Sequence, residues 1–411
     1  ALPRAARIAV PPARVSTPLP PGGARVRPVV NRVTRAAFYL FVFSIPFELA
    51  DYLDLPLEVP TVTGALFLLA SALHPSAAYR RIPAAVVWFG VYLWFFGLST
   101  LVNQIGYPIL ALELALLLLE MVLILWVGGN LLRDPFVMRG VLLTLALACG
   151  LRAALQVAGL GATTHAEWGG GVRVTFLSQN PNLSAIILSA GLITALDLRP
   201  RLLFWLLAGI MGVAIIQTGS RGGLLCTAVG MLVLLWQGRT ALARLRSVLF
   251  GFLVLALLAF GAWRSDLMRE RFLRAATEHA LAGREHIYPA TLQMVLERPI
   301  VGWGPIENQA EIAQRIGDWR QDRRDAHNIV LELLSATGIL GAVPFLIGLW
   351  LCIRNAWRAR RGSLHMLPFA LLATVLTGSV SGTWIASKVL WLTLAIGLTA
   401  GAVTESRRCA V

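Results

Sequence analysis

The chain has 411 residues, of which 57% are hydrophobic and only 14% are charged. Runs of about 20 apolar residues, each long enough to cross a hydrocarbon core of roughly 30 Å, recur along it and exclude a soluble globular protein. The net charge of +15 is not accompanied by a nucleic-acid-binding motif. We therefore attribute this charge to membrane topology and predict no nucleic-acid partner.

The apolar runs are rich in Leu, Ala and Val and do not alternate with a period of two residues. This pattern indicates membrane helices and not the strands of a membrane barrel. The predicted fold class is an all-α polytopic membrane protein with about twelve transmembrane helices. The predicted spans are 36–50, 57–73, 84–102, 109–128, 137–158, 181–197, 202–218, 223–237, 247–263, 328–353, 366–382 and 384–403.

The cations lie mainly in short connections, which predicts the orientation of the chain. With both termini in the cytoplasm, the positive-inside rule is satisfied at every arginine-rich connection. These connections contain Arg80, Arg81, Arg133, Arg199, Arg201, Arg239, Arg244, Arg246, Arg354, Arg358, Arg360, Arg361, Arg407 and Arg408. The first outer connection instead holds Asp51, Asp54 and Glu58. We therefore predict a multi-pass protein whose candidate site lies on the outer face.

The chain is predicted to divide into five segments, which are a basic, Pro-rich cytoplasmic tail (1–35), the first nine spans (36–263), a long outer loop (264–326), the last three spans (327–403) and a second tail (404–411). We expect the first segment to be a tail and not a cleavable signal peptide. The long loop carries ten arginines and ten acids, so it is nearly neutral, and long loops escape the positive-inside rule. A helix near 284–298, ended by the turn at 302–305, predicts a mostly helical cap.

Two arginines stand out as candidate site residues. Arg221 lies in Gly219–Gly222 at the outer end of the seventh span, where a charge near lipid is costly unless it meets a partner or a wet cavity. A guanidinium that reaches up to the headgroups is the alternative explanation. Arg284 opens the loop helix, where a guanidinium and amide groups can bind one anion. A solvated surface charge is the alternative there.

Three further cations, Arg152, Arg173 and Lys388, lie near the outer ends of predicted spans or just outside them. Each is a weaker phosphate-binding candidate that also fits a structural role. Asn180 can cap the sixth span, with Pro181 in its first turn.

His327 lies between the long loop and the tenth span. With an unperturbed pKa of about 6.5, a histidine at the membrane surface can take a proton from a sugar hydroxyl at neutral pH. A helix-capping or hydrogen-bonded interfacial histidine is the alternative. No acidic cluster suggests a metal site and no glycine-rich loop suggests a nucleotide, so we predict no metal, cofactor or nucleotide partner.

Taken in order, four fragments resemble the O-antigen ligase and polymerase superfamily over about residues 170–350. They are Phe176 with Asn180–Pro181–Asn182; Gly219–Ser220–Arg221–Gly222; Gly283–Arg284 with Arg298–Pro299–Ile300–Val301–Gly302–Trp303–Gly304–Pro305; and His327–Asn328 with Gly338 and Gly341. The chain departs from many relatives at Tyr288, where they have tryptophan. That exchange keeps an aromatic ring.

The resemblance implies a GT-C-like architecture in the inner membrane of a Gram-negative bacterium, with the active site at the periplasmic face. The implied donor is a glycan on undecaprenyl diphosphate, and for a ligase the acceptor is lipid A-core; membrane lipid surrounds both. It implies essential arginines at Arg221 and Arg284 and a histidine at His327. Our hypothesis is a metal-independent, inverting displacement in which His327 is the general base. Arg221 and Arg284 would bind the diphosphate, assisted by Arg173, Arg152 or Lys388. The implied structural support comes from Asn180, Asn182, Ser220, Gly302, Gly304 and Asn328.

Three other functions stay open. A polymerase of the same superfamily would extend another lipid-linked repeat, and the motifs separate acceptors poorly. Protein O-oligosaccharyltransferases share the His-Asn region, but commonly add a soluble carboxy-terminal portion that we do not expect here. A lipid or solute transporter, from a different class, should show related halves and broken helices at mid-membrane; the sequence suggests neither.

Overall fold

The computed structural model describes residues 30–48, 58–103, 106–166, 172–196, 201–236, 241–277, 283–317 and 322–408. The first eight helices are α1 (Arg32–Ser44), α2 (Val59–Ser71), α3 (Pro75–Ala78), α4 (Ala84–Val102), α5 (Pro108–Leu131), α6 (Pro135–Val157), α7 (Pro181–Ala195) and α8 (Arg201–Gln217). The others are α9 (Arg221–Leu235), α10 (Ala241–Arg264), α11 (Asp266–Thr277), α12 (Arg284–Glu297), α13 (Glu307–Arg315), α14 (Ile329–Arg358), α15 (Leu367–Ser379) and α16 (Lys388–Arg408). Most of the predicted amino-terminal tail, with Asp51, Asp54, Arg199 and Arg239, lies outside the described residues.

The helices support the predicted membrane class. Within the described part of the chain, α4, α5, α6 and α14 have the length and apolar composition of a membrane span. A fifth candidate consists of α10 and α11, which meet with a bend of 89°. Other predicted spans correspond to shorter helices: α2 has 13 residues, so it is only about 20 Å long at 1.5 Å per residue. The number of twelve spans therefore stays a prediction.

Helix α7 lies at the centre of the bundle. Every residue from Ser184 to Ala195 is buried, and the helix packs against α6, α8, α9 and α15. Because protein and not lipid surrounds α7, its 15 residues need not match the thickness of the bilayer. Packing from Ser184 onwards therefore anchors the helix whose amino-terminal end carries Asn182.

The connection near 159–180 contains a small hairpin that the all-α prediction did not include. Strands β1 (Ala162–Ala166) and β2 (Val172–Phe176) pair antiparallel, with His165 opposite Arg173. The side chains of Arg173 and Thr175 are buried, whereas Val172 is exposed. The hairpin therefore turns Arg173 towards the helix bundle.

Helix α14 is interrupted where a turn of the long loop before it packs against it. Gly338 has φ 61° and ψ −165°, a conformation open only to glycine. Four backbone hydrogen bonds join the turn to the helix at the break, from Trp303 N to Ser335 O (2.7 Å), Gly304 N to Ala336 O (3.0 Å), Ile339 N to Pro299 O (2.8 Å) and Leu340 N to Ile300 O (3.2 Å). The turn thus occupies backbone groups that a continuous helix would have paired internally. The sequence predicted the turn, but it predicted an unbroken tenth span.

Candidate active site

The amino-terminal ends of α7 and α9 meet, and that of α12 lies beside the loop that precedes α14. Asn182 of α7 joins the first two of these ends, since its Oδ1 accepts a hydrogen bond from Ser220 Oγ at 2.9 Å. Arg284 of α12 donates from Nη2 to the carbonyl oxygen of Ser381 at 2.7 Å, in the loop between α15 and α16. Tyr288, one turn along α12, donates to the carbonyl oxygen of His327 at 3.2 Å. Residues from distant parts of the sequence therefore form one site.

Asn182 also connects this site with the hairpin. Arg173 Nη2 donates to Asn182 Oδ1 at 3.0 Å, and Arg173 Nε donates to the carbonyl oxygen of Thr218 at 2.6 Å. Ser220 caps α9 by accepting from the amide of Gly223 at 3.0 Å. These bonds orient the last residues before α9, so they fix the backbone from which Arg221 projects.

The first turn of α7 is built to keep Asn182 in place. Asn180 Oδ1 accepts from the amide of Asn182 at 2.9 Å and caps the helix, and Pro181 occupies the first turn. A capping side chain satisfies a helix amide that has no partner inside the helix. The Asn-Pro-Asn sequence therefore both starts the buried helix and presents an amide side chain to the site.

Four arginines share the site. Arg221 Nη1 donates to the carbonyl oxygen of Arg271 in α11 at 3.1 Å. Arg284 lies near enough to Arg221 for their positive charges to repel each other. Burial, with a smaller contribution from the nearby charge of Arg221, lowers the pKa of Arg173 to about 10. Burial, followed by the charges of Arg284 and Arg274, also lowers the pKa of Arg271.

These shifts show that positive charges crowd together in partly buried surroundings. Desolvation and like charges both disfavour the protonated form of a guanidinium. A ligand that carries several negative charges would offset the repulsion, and planar guanidinium groups can bind phosphate through two parallel hydrogen bonds. The site is therefore suited to a diphosphate or a similar polyanion.

His327 lies beside this group of arginines in an unusual backbone conformation. Its φ is +51°, in the left-handed region, and its Nδ1 lies 3.7 Å from Asp325 Oδ2. Burial lowers the pKa of His327 to about 4, with smaller contributions from the charges of Arg284 and Arg324. The imidazole is therefore neutral at pH 7 and has a lone pair available to accept a proton.

Asn328 fixes the start of α14 directly after this histidine. Its Oδ1 accepts from the amides of Val330 and Leu331 at 2.9 and 3.2 Å, and its Nδ2 donates to the carbonyl oxygen of Val380 at 3.3 Å. Tyr288 Oη also donates to Val380 O, at 3.3 Å. The loop after α15 thus links Arg284, Tyr288 and Asn328, so the histidine loop and the arginine-bearing helix share one scaffold.

Two other predicted phosphate ligands have partners inside the bundle. Arg152 is fully buried and bonds the side chain and carbonyl oxygen of Ser184. Lys388 is 2% exposed and pairs with Glu48 at 3.0 Å and with Glu58. Because two carboxylates contact its ammonium group, Lys388 fits the structural role that the sequence analysis left open better than the role of a diphosphate ligand. The contacts of Arg152 also favour a structural role.

Sequence reasoning did not single out Arg271 or the carbonyl groups of Val380 and Ser381. Arg271 is one of ten arginines in the long loop and lies in no recognisable motif. Its place in the site depends on the sharp bend between α10 and α11. Backbone carbonyls carry no side-chain signal at all, so the sequence offered no means of finding the contribution of the loop after α15.

Fold and site together define a helical membrane protein with a cationic, histidine-containing site. Residues 202–346 match the family model described as O-antigen ligase, so about a third of the chain is similar to that family. Arg221, Arg284 and His327 lie inside the matched segment, whereas Arg152, Arg173 and Lys388 lie outside it. Members of the family are glycosyltransferase-like ligases or polymerases that act on lipid-linked glycans. Comparison with curated proteins gives no match.

Proposed function

We propose that the protein is an O-antigen ligase that transfers a polysaccharide from undecaprenyl diphosphate to a sugar hydroxyl of lipid A-core. The observation that carries the proposal is a neutral His327 beside interacting arginines, because this pairs a proton acceptor with a polyanion site. The proposed setting is the inner membrane of a Gram-negative bacterium. The site faces the periplasm, and both termini lie in the cytoplasm.

The proposed reaction is a single displacement at the anomeric carbon of the donor sugar. The acceptor oxygen forms a bond to this carbon, and its proton moves to His327. The bond from the anomeric carbon to the diphosphate oxygen breaks, and undecaprenyl diphosphate leaves with the electron pair. Arg221 and Arg284, with Arg173 at the edge of the site, stabilise the negative charge that develops on that oxygen. Inversion at the anomeric carbon follows, and no metal is required.

The diphosphate role of Arg221 can be tested by replacing it with lysine. Lysine keeps the positive charge but has no planar fork, so it cannot make two parallel bonds to a phosphate. We expect Arg221→Lys to weaken donor binding by roughly 10- to 100-fold, the worth of one charged hydrogen bond. Donor affinity is measured by titrating purified protein with a short glycan on undecaprenyl diphosphate.

The matched control is Arg269→Lys, because Arg269 is about half exposed on α11 and pairs with Asp266. We expect donor affinity to stay near the wild-type value in this variant. Unchanged affinity in Arg221→Lys would remove Arg221 from the diphosphate site. Equal losses in both variants would show that the effect of the exchange is not specific to Arg221.

The lowered pKa of His327 predicts an unusual pH profile. A general base must be unprotonated, so kcat/KM should fall as the pH drops through about 4, the pKa of His327 in the free protein. Bound diphosphate would offset the charge of Arg284, which helps to lower this pKa. The acid limb of kcat should therefore lie at higher pH than that of kcat/KM. An acid limb of kcat/KM near the ordinary histidine pKa of about 6.5 would contradict this.

The acceptor is identified by a product assay. Purified protein is incubated, with a chelator present, with a glycan on undecaprenyl diphosphate and with lipid A-core, and the lipid products are resolved on a gel. Glycan on lipid A-core supports the ligase proposal. Longer lipid-linked glycan with unmodified core identifies a polymerase, and glycan on an added acceptor protein identifies an O-oligosaccharyltransferase. Flux of lipid or solute without any glycosidic product would identify a transporter.

A further inference from the structure

A buried carboxylate lies directly behind the histidine loop. Glu332, in the first turn of α14, is 6% exposed. Its Oε2 accepts a hydrogen bond from the backbone amide of Ala326 at 3.0 Å, and its Oε1 accepts from Asn308 Nδ2 at 2.9 Å. Asn308 is fully buried in α13 and also donates to Ser335 Oγ at 3.1 Å. One carboxylate thus ties the cap helix α13, the residue before His327 and the start of α14 together.

Burial of an acid is costly, so its partners indicate what the acid does. A carboxylate in the first turn of a helix is favoured by the helix dipole, and hydrogen bonds to it offset part of its lost hydration. A shorter polar side chain could have capped α14, but Asn328 already does so. The carboxylate of Glu332 is instead directed backwards to the amide of Ala326.

The conformation of His327 explains why this amide needs an anchor. A residue other than glycine at φ +51° is strained and persists only where its surroundings fix it. Asn328, the residue after the histidine, is fixed by its bond to the carbonyl oxygen of Val380. Tyr288 donates to the carbonyl oxygen of His327. The bond from Ala326 to Glu332 fixes the residue before it. Together these contacts determine the direction of the imidazole.

We propose that Glu332, held by Asn308, is a positioning residue that sets the place of the His327 imidazole for proton transfer. The proposal rests on the proposed function, because it takes His327 to be the general base. Glu332 acts through the backbone of Ala326 and does not contact the substrate. A displacement of about 1 Å in a catalytic group can cost about 100-fold in rate, so a single lost bond behind the loop has a large expected effect on turnover.

The first test is Glu332→Gln, which keeps the shape of the side chain. Glutamine offers one acceptor oxygen and one NH2 group, so it cannot accept from Ala326 and Asn308 on separate oxygens. We expect kcat to fall by roughly 10- to 100-fold while the donor dissociation constant stays within a factor of about two. The matched control is Glu311→Gln on α13, where the acid pairs with Arg315; its kcat should stay near the wild-type value.

The second test combines the change with loss of the base. If Glu332 acts through His327, the double variant His327→Ala with Glu332→Gln should be no slower than His327→Ala alone, because the imidazole it positions is gone. A further 10-fold loss in the double variant would overturn the proposal and indicate a general structural role. Full activity of His327→Ala would instead overturn the proposed function, so the two failures are distinguishable.

A milder variant covers the case in which Glu332→Gln does not fold. Asn308→Ala removes one partner and leaves the carboxylate bonded to Ala326. We expect a smaller fall in kcat, again with donor affinity unchanged. Equal losses of donor binding and kcat in Asn308→Ala would overturn the proposal.

Discussion

Replacing His327 by alanine is expected to lower kcat by roughly 10²- to 10⁴-fold, the usual contribution of a general base. Donor binding should remain nearly intact, because the arginines that would bind the diphosphate keep their own hydrogen bonds to Asn182, Thr218, the Arg271 carbonyl and the Ser381 carbonyl. Removing a neutral imidazole leaves the charge of the site unchanged at pH 7. Turnover is measured with the gel assay at saturating donor, and donor affinity by direct titration.

The matched control for this variant is His286→Ala. His286 lies two residues after Arg284, and its side chain is exposed on α12. We expect this variant to retain the turnover and donor affinity of the wild type. Loss of donor binding in His327→Ala would count against the assignment as a base, and unchanged turnover would exclude it.

The general character of the fold could be predicted from the sequence because lipid leaves the backbone few choices. An apolar run must satisfy its own amide and carbonyl groups, which makes it a helix. The break in α14 was not predictable by the same reasoning. It depends on Ile300 and Gly302, which lie more than 30 residues before Gly338 in the sequence and supply the groups that contact the broken helix. The hydropathy of a segment predicts whether it lies in lipid or in water, but it does not predict hydrogen bonds between backbone groups that are far apart in the sequence.

Candidate site residues could be predicted where a polar or charged residue lies at the end of an apolar run. Arg221 and His327 are candidates because they lie at the ends of apolar runs, where placing a polar group near lipid costs free energy. The same reasoning included Lys388, because a sequence does not show which acids a buried cation meets. Glu48 and Glu58 lie 340 and 330 residues away, and only the fold brings them to Lys388. The network of Glu332 was hidden for the same reason.

The glycine at the break of α14 gives the prediction with the largest expected effect on stability. Gly338 combines a positive φ with a ψ that side chains forbid, and an added Cβ would overlap the carbonyl oxygen of Ile300. We expect Gly338→Ala to lower the free energy of unfolding by roughly 3 kcal/mol or more, since strain and overlap act together. The turn would separate from the helix, which also disturbs the start of α14 next to His327. Thermal unfolding in detergent measures the loss, and the gel assay measures its effect on turnover.

Gly97→Ala is the matched control for this change. Gly97 lies in α4, which packs against α14, and an added Cβ there would meet no other atom within 4 Å. Because alanine is a better helix former than glycine by about 1 kcal/mol, this variant should be at least as stable as the wild type. If Gly338→Ala unfolded at the same temperature as Gly97→Ala, α14 could continue as a regular helix. The hydrogen bonds that join residues 299–304 to the helix would then not be what interrupts it.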